Sequence, residues 1–136
     1  MKIHEFDFLE EKTLEIRNSK YGNNWPVVYL IHNEKEMYIG ETTKVYVRAS
    51  QHLKNPERKK LKTIRIIGDD RFNKSAVLDI ESSLIKYVSA DGRYLLQNHN
   101  FGIQSHNYFN KGEYEQIFFE IWRKLKSRGI VRKSLD

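Results

Sequence analysis

The segment Tyr38-Ile39-Gly40-Glu41-Thr42-Thr43-Lys44-Val45-Tyr46-Val47-Arg48-Ala49-Ser50-Gln51-His52 leaves few folds open. It reads as a strand end, a short turn and a helix that Thr42 or Thr43 can cap, running to about Leu53. On that helix the i, i+3, i+4, i+7 stripe falls on Val45, Arg48, Ala49 and His52. A face expected to be apolar therefore carries a cation and an imidazole four residues apart, projecting side by side. Nine residues before Tyr38 stands a second tyrosine, Tyr29, in the apolar run Val27 to Ile31 that follows Pro26. Asn33-Glu34-Lys35-Glu36 then turns the chain and Met37 to Gly40 returns, which predicts a β-hairpin. One hairpin and one helix thus bring two phenols, a guanidinium and an imidazole together, groups suited to handling a phosphodiester.

Asn55-Pro56 stops the helix, and Leu61 to Ile67 reads as a third strand closed by Gly68-Asp69-Asp70. Asn73 or Ser75 caps a second helix from Ala76 to about Val88, and Asp91-Gly92 turns the chain after it. The stripe of this helix is Val77, Ile80, Glu81, Leu84 and Val88, so a glutamate interrupts an apolar row. A buried charge is costly unless it is paired or binds a metal. Asp79 lies off the stripe and reads as solvated. Leu95-Leu96 is a short apolar anchor before the polar run Gln97-Asn98-His99-Asn100. A last helix is predicted over about Glu113 to Lys126, with Ile117, Phe118, Ile121, Trp122 and Leu125 on its core stripe and Gly129 beyond it. Near the N-terminus, Phe6, Phe8, Leu9, Leu14 and Ile16 suggest a short helix or strand pair packed on the domain. The expected architecture is α+β: a small three-stranded antiparallel sheet flanked by helices in a β-β-α-β-α core, with the additional terminal helix.

At 136 residues the chain is the size of one domain. Its net charge of +6 favours a polyanionic partner. The charge is uneven: from Lys44 to Lys74 there are ten basic residues against Glu57, Asp69 and Asp70, an excess larger than that of the whole chain. Lys44, Lys54, Arg58, Lys59, Lys60 and Lys62 are the candidate nucleic-acid contacts, a type of contact that gives affinity and no sequence choice. With no cysteine, disulfides, thiolate catalysis and Cys-ligated zinc are excluded. His4, His32, His99 and His106 match no common zinc spacing. No segment is apolar enough to span a bilayer, so a cytoplasmic location is the expectation.

Each polar residue also has a structural alternative. Glu81 could pair with Arg48 between two helices, Tyr29 and Tyr38 could be core aromatics, His52 a satisfied helix histidine and Asn98 a turn former. Polar intrusions in both helices, together with the paired tyrosines, favour a site.

In order and spacing these residues resemble the GIY-YIG nuclease family over about Val27 to Asn100. The second half-motif is intact as Tyr38-Ile39-Gly40; the first reads Val27-Val28-Tyr29, with valine in place of glycine. Arg48 and His52 fit the Arg and His that follow the second half-motif, and Glu81 fits the metal-binding glutamate. Asn98, with Asn100 as second candidate, fits the family's closing asparagine. The resemblance implies a nuclease domain with its core at about 26–102 and a C-terminal helix at about 113–126. Its catalytic residues would be Tyr29, Tyr38, Arg48, His52, Glu81 and Asn98, and Glu81 would hold one Mg²⁺ or Mn²⁺ ion. Only one carboxylate is offered, which argues against a two-metal site. Arg48 would bind the scissile phosphate, one of the two tyrosines would help deprotonate water, and Asn98 would fix the site by hydrogen bonding. DNA is the expected partner. The chain also resembles nuclease domains that precede a P-loop ATPase or helicase-like region in one polypeptide. The alternative from another class is the same fold acting as a non-catalytic nucleic-acid-binding or interaction module.

Overall fold

The computed structural model describes residues 1–98 and 111–135. Five strands form one mixed sheet in the order β1-β4-β2-β3-β5. They are β1 (Lys2–Asp7), β2 (Val27–His32), β3 (Glu36–Thr42), β4 (Thr63–Gly68) and β5 (Leu95–Leu96). The helices are α1 (Thr13–Asn18), α2 (Val45–Leu53), α3 (Pro56–Lys59), α4 (Lys74–Asp91) and α5 (Lys111–Ser127). The α+β class holds, but the three-stranded antiparallel sheet needs correcting. The expected hairpin β2–β3 and third strand β4 are its centre, all antiparallel. Outside them β1 pairs antiparallel with β4, and β5 pairs parallel with β3. β1 offers little apolar alternation because it is an edge strand with no fully buried side chain, held by its backbone ladder. β5 is two residues long, below any periodic signal.

The period-2 geometry of the strands divides the core between two faces. Val28, Leu30, Met37, Ile39 and Ile67 point to one face, where they meet Val77, Ile80, Leu84 and Val88 of α4 and Ile117, Phe118, Ile121, Trp122 and Leu125 of α5. Val27, Tyr29, Ile31, Ile64 and Ile66 point to the other, against Phe8, Ile16 of α1, and Val45 and Ala49 of α2. Of the apolar N-terminal residues, Phe8 and Ile16 are buried while Leu9 and Leu14 are exposed.

Helix starts show how side chains set boundaries. Asn73 caps α4, its Oδ1 accepting from the Ala76 N–H at 2.8 Å, and Gly92 ends it at φ 73°, in the left-handed region that glycine enters freely. Asn55 caps α3, accepting from Glu57 N and Arg58 N at 2.9 and 3.3 Å, with Pro56 in the first turn. At α2 neither threonine is the cap. The helix begins after Lys44, and Thr42 Oγ1 accepts from the Lys44 N–H at 3.0 Å, holding the turn instead.

A candidate active site along an open sheet edge

Beyond Met37 the outer edge of β3 has no partner strand among the described residues, β5 pairing only with Glu36 and Met37. An unpaired edge leaves backbone groups to satisfy, and the residues after β5 take over in sequence. Gln97 N donates to Met37 O at 2.8 Å. At the next outward position the Asn98 carboxamide replaces a strand: its Oδ1 accepts from Ile39 N at 3.0 Å and its Nδ2 donates to Ile39 O at 2.7 Å. Two positions further on, Glu41 lies near enough for its N–H and its carboxylate both to act on the Glu81 charge. Asn98 is therefore held beside the Tyr38-Ile39-Gly40 stretch of β3 for a reason of backbone accounting. The second asparagine candidate, Asn100, lies outside the described residues, as do His99 and His106.

Gly40 makes the two tyrosines compatible. It is the cross-strand partner of Tyr29, and a Cβ at Gly40 would fall 2.4 Å from both Cζ and Oη of that phenol. The Tyr29 ring can lie flat over the glycine, 6.3 Å from the Tyr38 ring. Its hydroxyl is hydrogen-bonded to His52 Nε2 at 2.8 Å, the direction being set by the imidazole tautomer. The Tyr38 and His52 rings are 4.7 Å apart. Tyr29 is 1 % exposed and His52 7 %, whereas Tyr38, Arg48, Glu81 and Asn98 are half-buried. The site thus has two layers, a buried Tyr29–His52 pair and a set of polar groups that solvent reaches.

Electrostatics separates the layers further. Burial is the largest cause raising Tyr29 well above the ordinary phenol range, with Tyr38 adding to it and Arg48 opposing. Burial, then Arg48 and Arg58, push His52 down to about 4. Near neutrality the pair is a protonated phenol beside an uncharged imidazole. Glu81 is pushed up to about 7, first by burial and then by the nearby Glu41 carboxylate, while the Glu41 N–H and Lys74 pull it back. The inter-helix alternative does not form: among the described residues Glu81 makes no ion pair with Arg48. Arg48 instead donates from Nη1 to Gln51 Oε1 at 2.8 Å and interacts with both phenols.

Three expectations change here. The site offers a second carboxylate, Glu41, which pairs with Lys74 Nζ at 2.6 Å. In the sequence Glu41 looks like part of a turn; only its place on the strand face toward α4 reveals it. Asp79 is half-buried rather than solvated. The basic run divides. Lys44, Lys54, Lys59 and Lys62 are exposed. Lys60 is drawn to Glu36 and Glu57 at 3.0 and 3.3 Å. Arg58 lies with its Cζ 4.2 Å from the Tyr38 ring centroid, a placement that four basic residues in a row of seven do not announce.

Residues 26–94 match the family described as GIY-YIG catalytic domain, half of the 136-residue chain. The chain belongs to the GIY-YIG family. The family is one of nucleases, and the match contains Tyr29, Tyr38, Arg48, His52 and Glu81. Asn98 falls beyond it, yet the edge of β3 brings it in. No curated protein and no solved structure matches the chain. At the position of the family's first glycine, Val27 is fully buried in the core between the sheet and α1. That position tolerates a side chain, whereas Gly40 does not. Among the described residues, no helix is long and apolar enough to cross a membrane.

Proposed function

We propose that this GIY-YIG domain is a divalent-metal-dependent endonuclease that hydrolyses phosphodiester bonds in DNA. The observation that carries the reading is Glu81, a half-buried carboxylate that is pushed up to about 7 beside a second carboxylate and has no ion-pair partner among the described residues. Such a group is costly to a purely structural network. It suits a hard cation, which replaces the proton and needs oxygen donors. Among the described residues no group of three or more His, Cys, Asp or Glu gathers to hold a metal. The protein would therefore give Glu81, with Glu41 beside it, and leave the remaining positions to water and phosphate oxygens. A Mg²⁺ or Mn²⁺ ion held there would add Lewis-acid stabilisation of charge on the phosphate.

The chain's own groups divide the remaining work. Arg48 binds the scissile phosphate and offsets the charge that develops as one P–O bond forms and another breaks. Tyr38 is the phenol that solvent reaches, so it meets the attacking water. Tyr29 keeps its proton and, with His52, fixes the floor of the site. When an anionic phosphate neutralises Arg48, one of the charges holding His52 down is removed, and the imidazole becomes a better proton acceptor as substrate binds. Asn98 holds the Tyr38–Gly40 backbone through Ile39. The exposed Lys44, Lys54, Lys59 and Lys62 supply affinity for the DNA backbone. A cytoplasmic location, a single domain over residues 1–136 and a following ATPase or helicase-like region in the same polypeptide belong to this proposal.

The test is nicking of supercoiled plasmid with Mg²⁺ or Mn²⁺, comparing the protein with Glu81→Gln at matched circular dichroism. Metal-dependent nicking that Glu81→Gln loses supports the reading. A folded, DNA-binding wild type that leaves plasmid intact with either ion argues for a binding module instead.

A further inference from the structure

Arg58 is a half-buried cation with no carboxylate partner among the described residues. It sits on α3, a single turn fixed twice near its start: Asn55 caps it, and the buried Gln97 donates from Nε2 to Glu57 O at 2.9 Å. The backbone of the same Gln97 is bonded to Met37, next to Tyr38. One residue therefore ties α3 to the strand that carries the phenol. Lys60, two residues on, takes both nearby carboxylates, Glu36 and Glu57. Arg58 makes no ion pair among the described residues. Its guanidinium lies over Tyr38, and its Nε is buried with no hydrogen-bond partner. A desolvated guanidinium N–H without an acceptor is unfavourable, and the planar fork of arginine matches a phosphate.

We infer that Arg58 is a substrate-contacting residue of the active site, its guanidinium edge taking a backbone phosphate next to the scissile one while its plane seats Tyr38. The inference rests on the phosphodiesterase reading and moves Arg58 from the general basic surface into the site itself. With Arg48, which interacts with the same phenol, it gives two arginines beside Tyr38, an arrangement suited to a polynucleotide backbone. Lys2 and Arg128, exposed and assigned no part in the site, serve as controls.

The experiment has two arms. Single-turnover cleavage at saturating DNA should fall about 100-fold in Arg58→Gln and about 10-fold in Arg58→Lys, which keeps the charge without the fork. Lys2→Gln and Arg128→Gln should leave the saturated rate within about two-fold. In the second arm, the Arg58 Nε–H resonance, assigned by its loss in Arg58→Lys, is followed as a phosphorothioate DNA oligonucleotide is added without divalent ion. A saturable shift supports the inference. An unmoved resonance, or an Arg58→Gln protein that folds and cleaves at the wild-type rate, overturns it. If the wild type cuts nothing, the nuclease reading falls by itself, and the resonance still decides whether Arg58 binds phosphate.

Discussion

On the sheet face covered by α4 and α5, Val28, Leu30, Met37, Ile39 and Ile67 meet an almost wholly apolar layer that includes Leu84, Ile121 and Trp122. On the face covered by α1 and α2, the same strands present Tyr29 and Tyr38 to a helix whose inward stripe contains His52 and Arg48. The first face resembles any small-domain core, where polar atoms are removed or satisfied, as Trp122 Nε1 is by Lys133 O at 2.7 Å. The second accepts desolvated titratable groups and holds them off their ordinary values. The difference teaches that the phenols and the imidazole are separated from the apolar core by strand pleat, with Glu41 and Glu81 on the α4 side as the exception, so substitutions one residue or one helical turn apart should have opposite signatures.

The sharpest contrast lies on α4. Glu81→Gln should abolish cleavage by about a thousand-fold or more while leaving stability near neutrality unchanged or slightly raised, since it removes a carboxylate that burial and Glu41 disfavour. Leu84→Ala, one turn on and fully buried, should do the reverse, losing about 2–5 kcal/mol of stability. Denaturant titrations beside plasmid nicking read both, and a marked loss of stability in Glu81→Gln would instead make that residue structural.

Within the polar face, Tyr38→Phe should lower the single-turnover rate by about 100-fold with little change in stability. Tyr29→Phe should cost about 10-fold, plus about 1 kcal/mol for the lost bond to His52. The opposite order of rates would assign the water-facing phenol to Tyr29.

Gly40→Ala should cost about 1–3 kcal/mol and displace the Tyr29 phenol, because the new methyl would overlap Cζ and Oη. Near-ultraviolet circular dichroism, sensitive to tyrosine packing, would register the change, and an unaltered spectrum would show that the ring does not depend on the glycine.

The smallest effect is on pH dependence. His52, lowered from 6.5 to about 4, binds its proton in the unfolded chain first, so its contribution is full above pH 6.5 and is lost as pH falls toward 4. Glu81, raised from 4.5 to about 7, keeps its proton longer when folded, so its contribution is lost as pH rises from 4.5 through 7. The two slopes oppose each other across pH 4.5–6.5 and flatten the wild-type profile. Glu81→Gln should uncover the histidine slope, stability rising with pH by about 2 kcal/mol over that window after allowing for solvent screening. His52→Gln should show stability falling with pH instead. Parallel profiles for all three proteins would mean that neither group is coupled to folding.

Residue periodicity by itself determined the hairpin, the third strand, the three longer helices and the anomaly of Arg48, His52 and Glu81 on inward stripes. Those features arise from contacts within one or two turns of chain, where side-chain type and spacing act directly. Asn73 as a cap and Gly92 as a stop were readable for the same reason. Tertiary structure alone decided what depends on an unpaired backbone group meeting a distant side chain. Asn98 is anchored where it is because Ile39, 59 residues away in sequence, has no partner strand on that side among the described residues. Glu41 becomes a site carboxylate because its strand face turns toward α4. Arg58 leaves a basic run for the Tyr38 ring because Gln97 ties α3 to β3. The strands β1 and β5 likewise exist through ladders to partners already in place, a form of stabilisation that leaves little trace in side-chain pattern.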